Sequence, residues 1–382
     1  MSTSKAIEPF TLAIAESDLD ELRAKLAQTR WPEAETVNDW SQGAPLADVQ
    51  ELCAYWLEQY DWRRCENMLN GFGQFTTEID GLKIYFLHIR SKHENALPMI
   101  MTHGWPGSVI EFHKVIGPLT DPISHGGKAE DAFHLVIPAL PGYGFSEKPK
   151  QTGWDIEHIA QAWQELMGRL GYSRYVAQGG DWGSAVTLAI ARAAPPECIA
   201  AHLNMVLARP SPEDLNNPTE QENLALAARK RHATQGTGYS SQQSTKPQTL
   251  GYGLVDSPAG QAAWIFEKFR EWTDCGGNPR NALTYDEILD NIMLYWLPGA
   301  AASAARLYWE SLASSLRSAP VHIKLACSVF PYEISRPSRR WAERDMTNII
   351  YWNEPEKGGH FAAFEQPDIF VDEIRNGFRS VR

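Results

Sequence analysis

Asp181 stands in Gly179-Gly180-Asp181-Trp182-Gly183-Ser184, between the apolar run Tyr175-Val176-Ala177 and the helix-compatible Ala185-Val186-Thr187-Leu188-Ala189-Ile190. A strand that turns sharply into a helix, with glycine two before and two after one residue, exposes that residue as a nucleophile. The turn is crowded and strained, and a Cβ at either flank would clash. Here the exposed residue is a carboxylate. An ordinary Asp, with a pKa near ~3.9, is an anion at pH 7 and needs no base to activate it. It suits displacement at a tetrahedral carbon, which leaves an alkyl ester on the protein. The competing reading is that Asp181 only caps the following helix, as Asp often does.

The rest of the chain supplies partners for such a nucleophile. His360, in Gly358-Gly359-His360-Phe361, follows the last expected strand, where it can deprotonate the water that attacks the ester carbonyl. A lone histidine in a glycine turn is also a common structural feature. Glu333, just after a strand ending at Phe330, stands at a C-terminal sheet edge and would orient His360 and stabilise its cation. Asp345 lies ahead of the last strand, at the opposite edge. Glu354 is the weaker option because it follows the same strand as His360.

His103-Gly104-Trp105-Pro106-Gly107-Ser108 follows the first core strand. Gly104 lets backbone approach a ligand, and Pro106 can hold a fixed turn, a cis bond being one way to make it. The loop also reads as an ordinary Gly/Pro turn. The N–H groups of Trp105 and Trp182 are the expected oxyanion donors, each worth about 3 kcal/mol. His103, Gly104 and Pro106 are the expected substrate contacts. Opening a strained ring such as an epoxide expels an alkoxide, so hydroxyl donors are needed as well. Tyr239, Tyr252, Tyr295 and Tyr308 are candidates. Each alone is ordinarily a packing residue, and spacing does not choose among the four.

These residues need a frame that brings them together. From Pro98 onward, short apolar runs recur at 99–101, 133–137, 175–177, 202–206, 323–326 and 349–352. Near-continuous hydrophobicity suits strands buried on both faces of a parallel sheet. A helix capped by Asp155, with Ile159, Trp163, Leu166 and Leu170 inside and Gly171 as its stop, lies between two of them. The alternation predicts a doubly wound sheet. It breaks between about Ala208 and Ser318, where the pattern predicts helices over 220–232, 259–272, 285–296 and 300–316. Such an insertion is expected to form a lid over the sheet's C-terminal edge, where these folds bind ligands.

Nearer the N-terminus, Leu19, Leu22 and Leu26 mark one helix, ending near Arg30-Trp31-Pro32. Val49, Leu52 and Trp56 mark a second, from near Pro45. Asp80-Gly81 between 75–79 and 82–87 signals a hairpin. The expected layout is an extension over 1–74, core over 75–207, lid over 208–318 and core again over 319–382.

With 43% hydrophobic and 21% charged residues, the 382-residue chain has the composition of a globular protein with a large core. A net charge of −12 argues against nucleic acid or an anionic membrane surface as partner. Arg229-Lys230-Arg231-His232 reads as a solvated helix face. Five scattered cysteines without CxxC spacing indicate a reducing compartment and neither a disulfide framework nor a zinc site. No signal peptide or membrane span is seen, so a cytoplasmic location is expected. A homodimer is an open option, the oligomeric state having no signature in the sequence.

Taken together, the chain resembles the epoxide hydrolases of microsomal type. Arg30-Trp31-Pro32, His103–Ser108, Pro138-Ala139-Leu140-Pro141-Gly142-Tyr143-Gly144-Phe145-Ser146 and Gly179–Gly183 carry the likeness. So do Ser244-Thr245-Lys246-Pro247, Phe330-Pro331-Tyr332-Glu333 and Gly358–Glu365. The resemblance implies an α/β-hydrolase fold: a doubly wound, mostly parallel sheet with an inserted helical lid and the family's N-terminal extension. It implies Asp181 as nucleophile, His360 as base and Glu333 as the charge-relay acid. It also selects Tyr239 and Tyr308 as the ring-opening pair, with a small-molecule epoxide as substrate and no cofactor or metal. The mammalian members carry an N-terminal membrane anchor and this sequence shows none, which groups it with the soluble bacterial and fungal enzymes. Two alternatives are a haloalkane or haloacid dehalogenase, with the same Asp chemistry but halide donors instead of tyrosines, and a non-catalytic receptor on the same fold.

Overall fold

The computed structural model describes residues 6–315 and 319–382. The sheet contains nine strands: β1 (Glu8–Pro9), β2 (Gln74–Ile79), β3 (Leu82–Ile89), β4 (Leu97–Thr102), β5 (Phe133–Pro138), β6 (Tyr175–Gly179), β7 (Cys198–Leu203), β8 (Lys324–Ser328) and β9 (Ile349–Asn353). Their order is β1-β2-β3-β5-β4-β6-β7-β8-β9. The first three run antiparallel, and the six from β5 to β9 are parallel. Asp80 and Gly81 both take positive φ, 50° and 78°, as a two-residue hairpin with right-handed strand twist requires. All residues of β5 and β6 are buried, as expected of strands covered on both faces.

β4 has β5 on one side and β6 on the other, so successive crossovers leave it in opposite directions. A crevice opens at such a switch point, beyond the C-terminal ends of the strands. The register pairs Thr102 with Gly179, the last residues of β4 and β6. The loops carrying His103–Ser108 and Asp181 therefore leave the sheet side by side. At the far edge an isolated parallel bridge, Tyr332 with Gly359, joins the segments after β8 and β9. The helices at 156–169 and 182–193 pack on each other, and those at 113–120 and 367–378 pack on each other, flanking the sheet. The helix from Trp182 to Ala193 has ten buried residues, so its apolar sequence has no solvent face.

Several expected elements shift. The strand expected at 202–206 is Cys198–Leu203; it ends at Asn204, whose side chain accepts from Gln178 Nε2 at 2.8 Å and whose N–H donates to the Gly179 carbonyl. That bond sets Asn204 against the turn holding Asp181. Among the described residues the helical insertion has three further α-helices, the short Pro212–Asn216 and then Gly238–Thr245 and Pro247–Asp256. The helix Gly238–Thr245 places Tyr239 in its opening turn, between the helices expected at 220–232 and 259–272. Its residues are small and polar, so no apolar stripe betrays it. The last lid helix runs Ala301–Ser315; its expected end at Leu316 lies outside the described residues.

The N-terminal extension adds β1 to the sheet and a third helix, Trp62–Asn70, to the two expected. It then grips the lid helix Tyr285–Trp296. Tyr55 donates to Asp286 at 3.0 Å, Tyr60 to Asp290 at 2.7 Å, and Arg64 pairs with Asp290 at 2.7 Å. Asp290 is 2% exposed while Arg64 keeps 42% of its surface. Arg64→Leu is therefore expected to cost about 2 kcal/mol, below the figure for a fully buried pair, because Tyr60 still serves the stranded carboxylate. Burial holds the Asp290 carboxyl above its ordinary value, against the pull of Arg64. Without Arg64 it rises further, so the native state binds the extra proton and stability falls as pH climbs through that window. Urea unfolding at about pH 5 and about pH 8 should show the larger deficit at the higher pH.

Candidate active site

The turn after β6 holds Asp181 at φ 51°, ψ −127°, a conformation costing a non-glycine residue about 1–3 kcal/mol. A Cβ on Gly183 would collide with the Thr102 carbonyl, and one on Gly104 with the Asp181 carboxylate. These two glycines let the elbow and the loop after β4 touch. The Trp105 N–H donates to Asp181 Oδ1 at 2.8 Å. The Trp105–Pro106 peptide is cis. Trp182 is the first residue of its helix, so its N–H has no intrahelical acceptor and is free to serve the same oxygen site. Asp181 thus has one oxygen held by the Trp105 N–H and the other facing elsewhere.

That other oxygen, Oδ2, lies 3.2 Å from His360 Nε2. His360 Nδ1 lies 2.7 Å from Glu333 Oε1, which also accepts the Ile334 N–H at 2.6 Å. The bridge between Tyr332 and Gly359 brings Glu333 and His360 together, and the His360 N–H donates to the Trp272 carbonyl at 2.9 Å. Burial alone pushes the imidazole toward its neutral form. The carboxylates of Glu333 and Asp181 outweigh it and raise His360 well above its ordinary value. The geometry, a buried imidazole between two carboxylates, favours the protonated ring. Glu354 is occupied elsewhere, by Gln221 and Trp352, and Asp345 precedes β9.

A cavity of about 760 Å³ opens from Asp181, and of the four tyrosines only Tyr239 and Tyr308 line it. Tyr252 is 71% exposed, and buried Tyr295 donates its hydroxyl to the Gly107 carbonyl at 2.6 Å. The Tyr239 ring stacks on Trp105 at 4.9 Å and 9°, with Lys268 Nζ 4.8 Å from its centroid. Tyr308 meets Trp182 edge-on at 4.8 Å, and the two tyrosine rings are 5.8 Å apart. Burial, reinforced by neighbouring negative charge, raises both phenols well above their ordinary value, so both keep their protons.

Among the expected substrate contacts, Gly104 lies against Asp181, whereas His103 is turned inward. Its ring is wholly buried; Nε2 accepts the Leu140 N–H at 3.2 Å, which leaves Nδ1 to donate to the Gly104 carbonyl at 2.9 Å. It braces the loop, and burial drops its pKa to about 4. Pro106 presents its carbonyl to Asn291 Nδ2 at 2.7 Å, tying the loop to the lid helix that the extension grips. Glu111 escaped the sequence analysis. Its carboxylate lies against Gly107, and burial, opposed by His360 and reinforced by Asp181, lifts its pKa to about 8. A glutamate one turn into an apolar segment carries no mark of such a place. Glu365 was also missed; it accepts the N–H groups of Asp274 and Phe361 and so holds the histidine loop.

The sheet and crevice define the class, the α/β-hydrolase fold, whose family model matches residues 98–254; the model of the epoxide hydrolase N terminus matches residues 7–112. Over 376 residues the chain is 55% identical to a Stigmatella aurantiaca protein named as a candidate epoxide hydrolase, covering 98% of this chain and 86% of that one. The crystal structure of juvenile hormone epoxide hydrolase from the silkworm Bombyx mori superposes with a TM-score of 0.91 at 30% identity, over 99% and 95% of the chains. Aspergillus niger epoxide hydrolase gives 0.89 at 32%, over 100% and 98%. The chain belongs to the epoxide hydrolase family, enzymes that add water to an epoxide. That membership sets the dehalogenase and receptor readings aside. No helix among the described residues is long and apolar enough to cross a membrane.

Proposed function

We propose that Asp181, His360 and Glu333 convert an epoxide and water to a diol through an ester on Asp181, with Tyr239 and Tyr308 as proton donors. The observation that carries this reading is the division of the Asp181 oxygens. Oδ1 sits on the Trp105 N–H and Oδ2 faces His360, beside a cavity that both tyrosines line. Oδ2 attacks a ring carbon, the carbon–oxygen ring bond breaks, and the tyrosines protonate the departing oxygen. His360 makes good that proton. Alkylation removes the negative charge of Asp181, one of the two charges holding His360 protonated, so the imidazole becomes a base at the moment one is needed.

Neutral His360 then takes a proton from water, whose oxygen adds to the ester carbonyl carbon. The oxyanion forms at Oδ1, already within reach of the Trp105 N–H. Collapse expels the alkoxide, which takes the proton of the new carboxyl group. Asp181 is again a carboxylate and His360 a cation. A single turnover with excess enzyme in heavy-oxygen water tests the route: the first diol should contain oxygen from Asp181, and label entering that diol directly from solvent contradicts it.

Tyr239→Phe or Tyr308→Phe alone is expected to lower kcat about ten-fold, and the pair about a thousand-fold. Stopped-flow measurement of alkylation should assign the loss to the first step. Glu333→Gln removes the foremost charge that raises His360. Its pH–rate profile should keep activity further into acid, because the imidazole loses its proton at lower pH, while the maximum falls about a hundred-fold. A profile that moves toward alkali would contradict that role.

We also read residues 1–74 as a brace for the lid and 208–318 as the lid. All five cysteines are free and buried, which supports a reducing, cytoplasmic location.

A further inference from the structure

The cavity that opens from Asp181 does not keep one character along its wall. Near Asp181 it is aromatic, with Trp182, Tyr239 and Tyr308; Leu188 and Met205 add apolar surface. Five arginines also line it, against two acids, Asp181 and Asp345, in a chain whose net charge is −12. Arg344 is held by Asp214. Arg209, Arg229 and Arg336 have no carboxylate within ion-pair distance among the described residues.

Neighbouring acids cannot serve them. Glu222, on the same helix as Arg229, is taken by Arg340, Ser338 and the Thr219 N–H. Asp214 faces Arg340 and Arg344. Arg336 gives one Nη to the Pro331 carbonyl, but its Nε is buried with no partner. Arg209 and Arg229 are exposed at the mouth, close enough that the charge of Arg209 adds to burial in lowering the pKa of Arg229. Like charges converging on a partly desolvated wall are costly unless an anion joins them. A guanidinium offers a planar fork of donors that matches a carboxylate.

We propose that Arg209, Arg229 and Arg336 form an anion-binding subsite in the outer part of the substrate cavity, selecting epoxides that carry a carboxylate on an apolar stem. The inference rests on Asp181 as the site of ring opening, which sets the end of the cavity where the epoxide lies. The stem crosses the apolar wall while the carboxylate meets the guanidiniums. Local positive potential also draws an anion toward a protein whose overall charge would repel it.

The test compares ω-epoxyundecanoate with its primary amide, the same stem without the charge. For the native enzyme kcat/KM for the acid should exceed that for the amide by about ten-fold or more, mainly through KM, and the gap should shrink as salt is added. In Arg209→Gln/Arg229→Gln and in Arg336→Gln the ratio should fall toward one. Because the readout is a ratio on one protein, a variant that merely folds less well lowers both substrates together. A native ratio near one, or a ratio that survives the substitutions, overturns the subsite. Calorimetric titration with undecanoate and undecanamide tests the same preference without turnover. Tighter undecanoate binding with no epoxide opened would count against Asp181 as nucleophile and leave the subsite standing; equal binding would sink the subsite alone.

Discussion

His360→Gln is expected to react once with an epoxide and then stop. Steady-state turnover should fall about a thousand-fold, the middle of the range for losing a general base. Alkylation should persist, because the proposed nucleophile is a carboxylate with its Oδ1 on the Trp105 N–H; the proton that His360 would return to the tyrosines must then come from solvent, so the step slows without stopping. Intact-mass measurement after incubation with styrene oxide should therefore show one adduct per chain, mapped by proteolysis to the peptide containing Asp181. A variant lacking both adduct and activity would mean that His360 is needed for ring opening. Gln is the suitable replacement because it fills the space between Asp181 and Glu333 without a titratable group. Glu333 is buried, and one of its oxygens already lacks a partner. Some loss of stability will accompany the substitution, so the adduct, not the rate, is the decisive reading.

Asp181→Asn should have the larger effect, at least about ten-thousand-fold on kcat/KM, with no adduct at any time. The amide keeps the shape of the side chain and can still accept the Trp105 N–H, so the turn is preserved while the anion is lost. The resting imidazolium also loses a neighbouring negative charge, and the His360 pKa should drop. An NMR titration of its ring can follow this independently of catalysis. Slow return of activity with mass loss of the amide would mark hydrolysis of Asn back to Asp by the site's own water. A variant that turns over at native rate from the first minute would remove Asp181 from the mechanism.

The two substitutions divide the reaction into bond making and bond breaking, and they act on the part of the site most visible in the sequence. Asp181 was marked by its glycines, His360 by its place after the last strand, and Glu333 by its place after the strand before. Each signal is local, or depends only on strand order. The same reasoning led to the N–H groups of Trp105 and Trp182 as expected oxyanion donors, and in the structure the Trp105 N–H lies on Asp181 Oδ1.

What lay beyond such signals was anything set by packing between distant segments. Four lid tyrosines were equivalent in sequence. The family resemblance selected Tyr239 and Tyr308, but spacing could not; what separates them physically from Tyr252 and Tyr295 is which helix face meets the cavity, and Tyr239 lies on a helix with no apolar stripe to announce it. His103 sits in the motif beside the nucleophile yet turns inward to brace Leu140 and Gly104. Glu111 and Glu365 are buried carboxyls whose surroundings come from other parts of the chain. Arg229 is exposed, as expected of a solvated helix face, but that it also lines the cavity with Arg209 and Arg336 depends on the approach of the loop after β8.

The order of chemistry along the chain was thus set by the sequence itself: an acid on a strand-to-helix turn, a second acid after a later strand, a histidine after the last. Those features follow from backbone sterics and strand order, which are properties of short stretches. Which hydroxyls line the cavity, which charges are left without partners, and how the extension holds the lid were decided only when segments distant in the sequence met. Desolvation and ion pairing depend on neighbours in space, and the sequence does not list those.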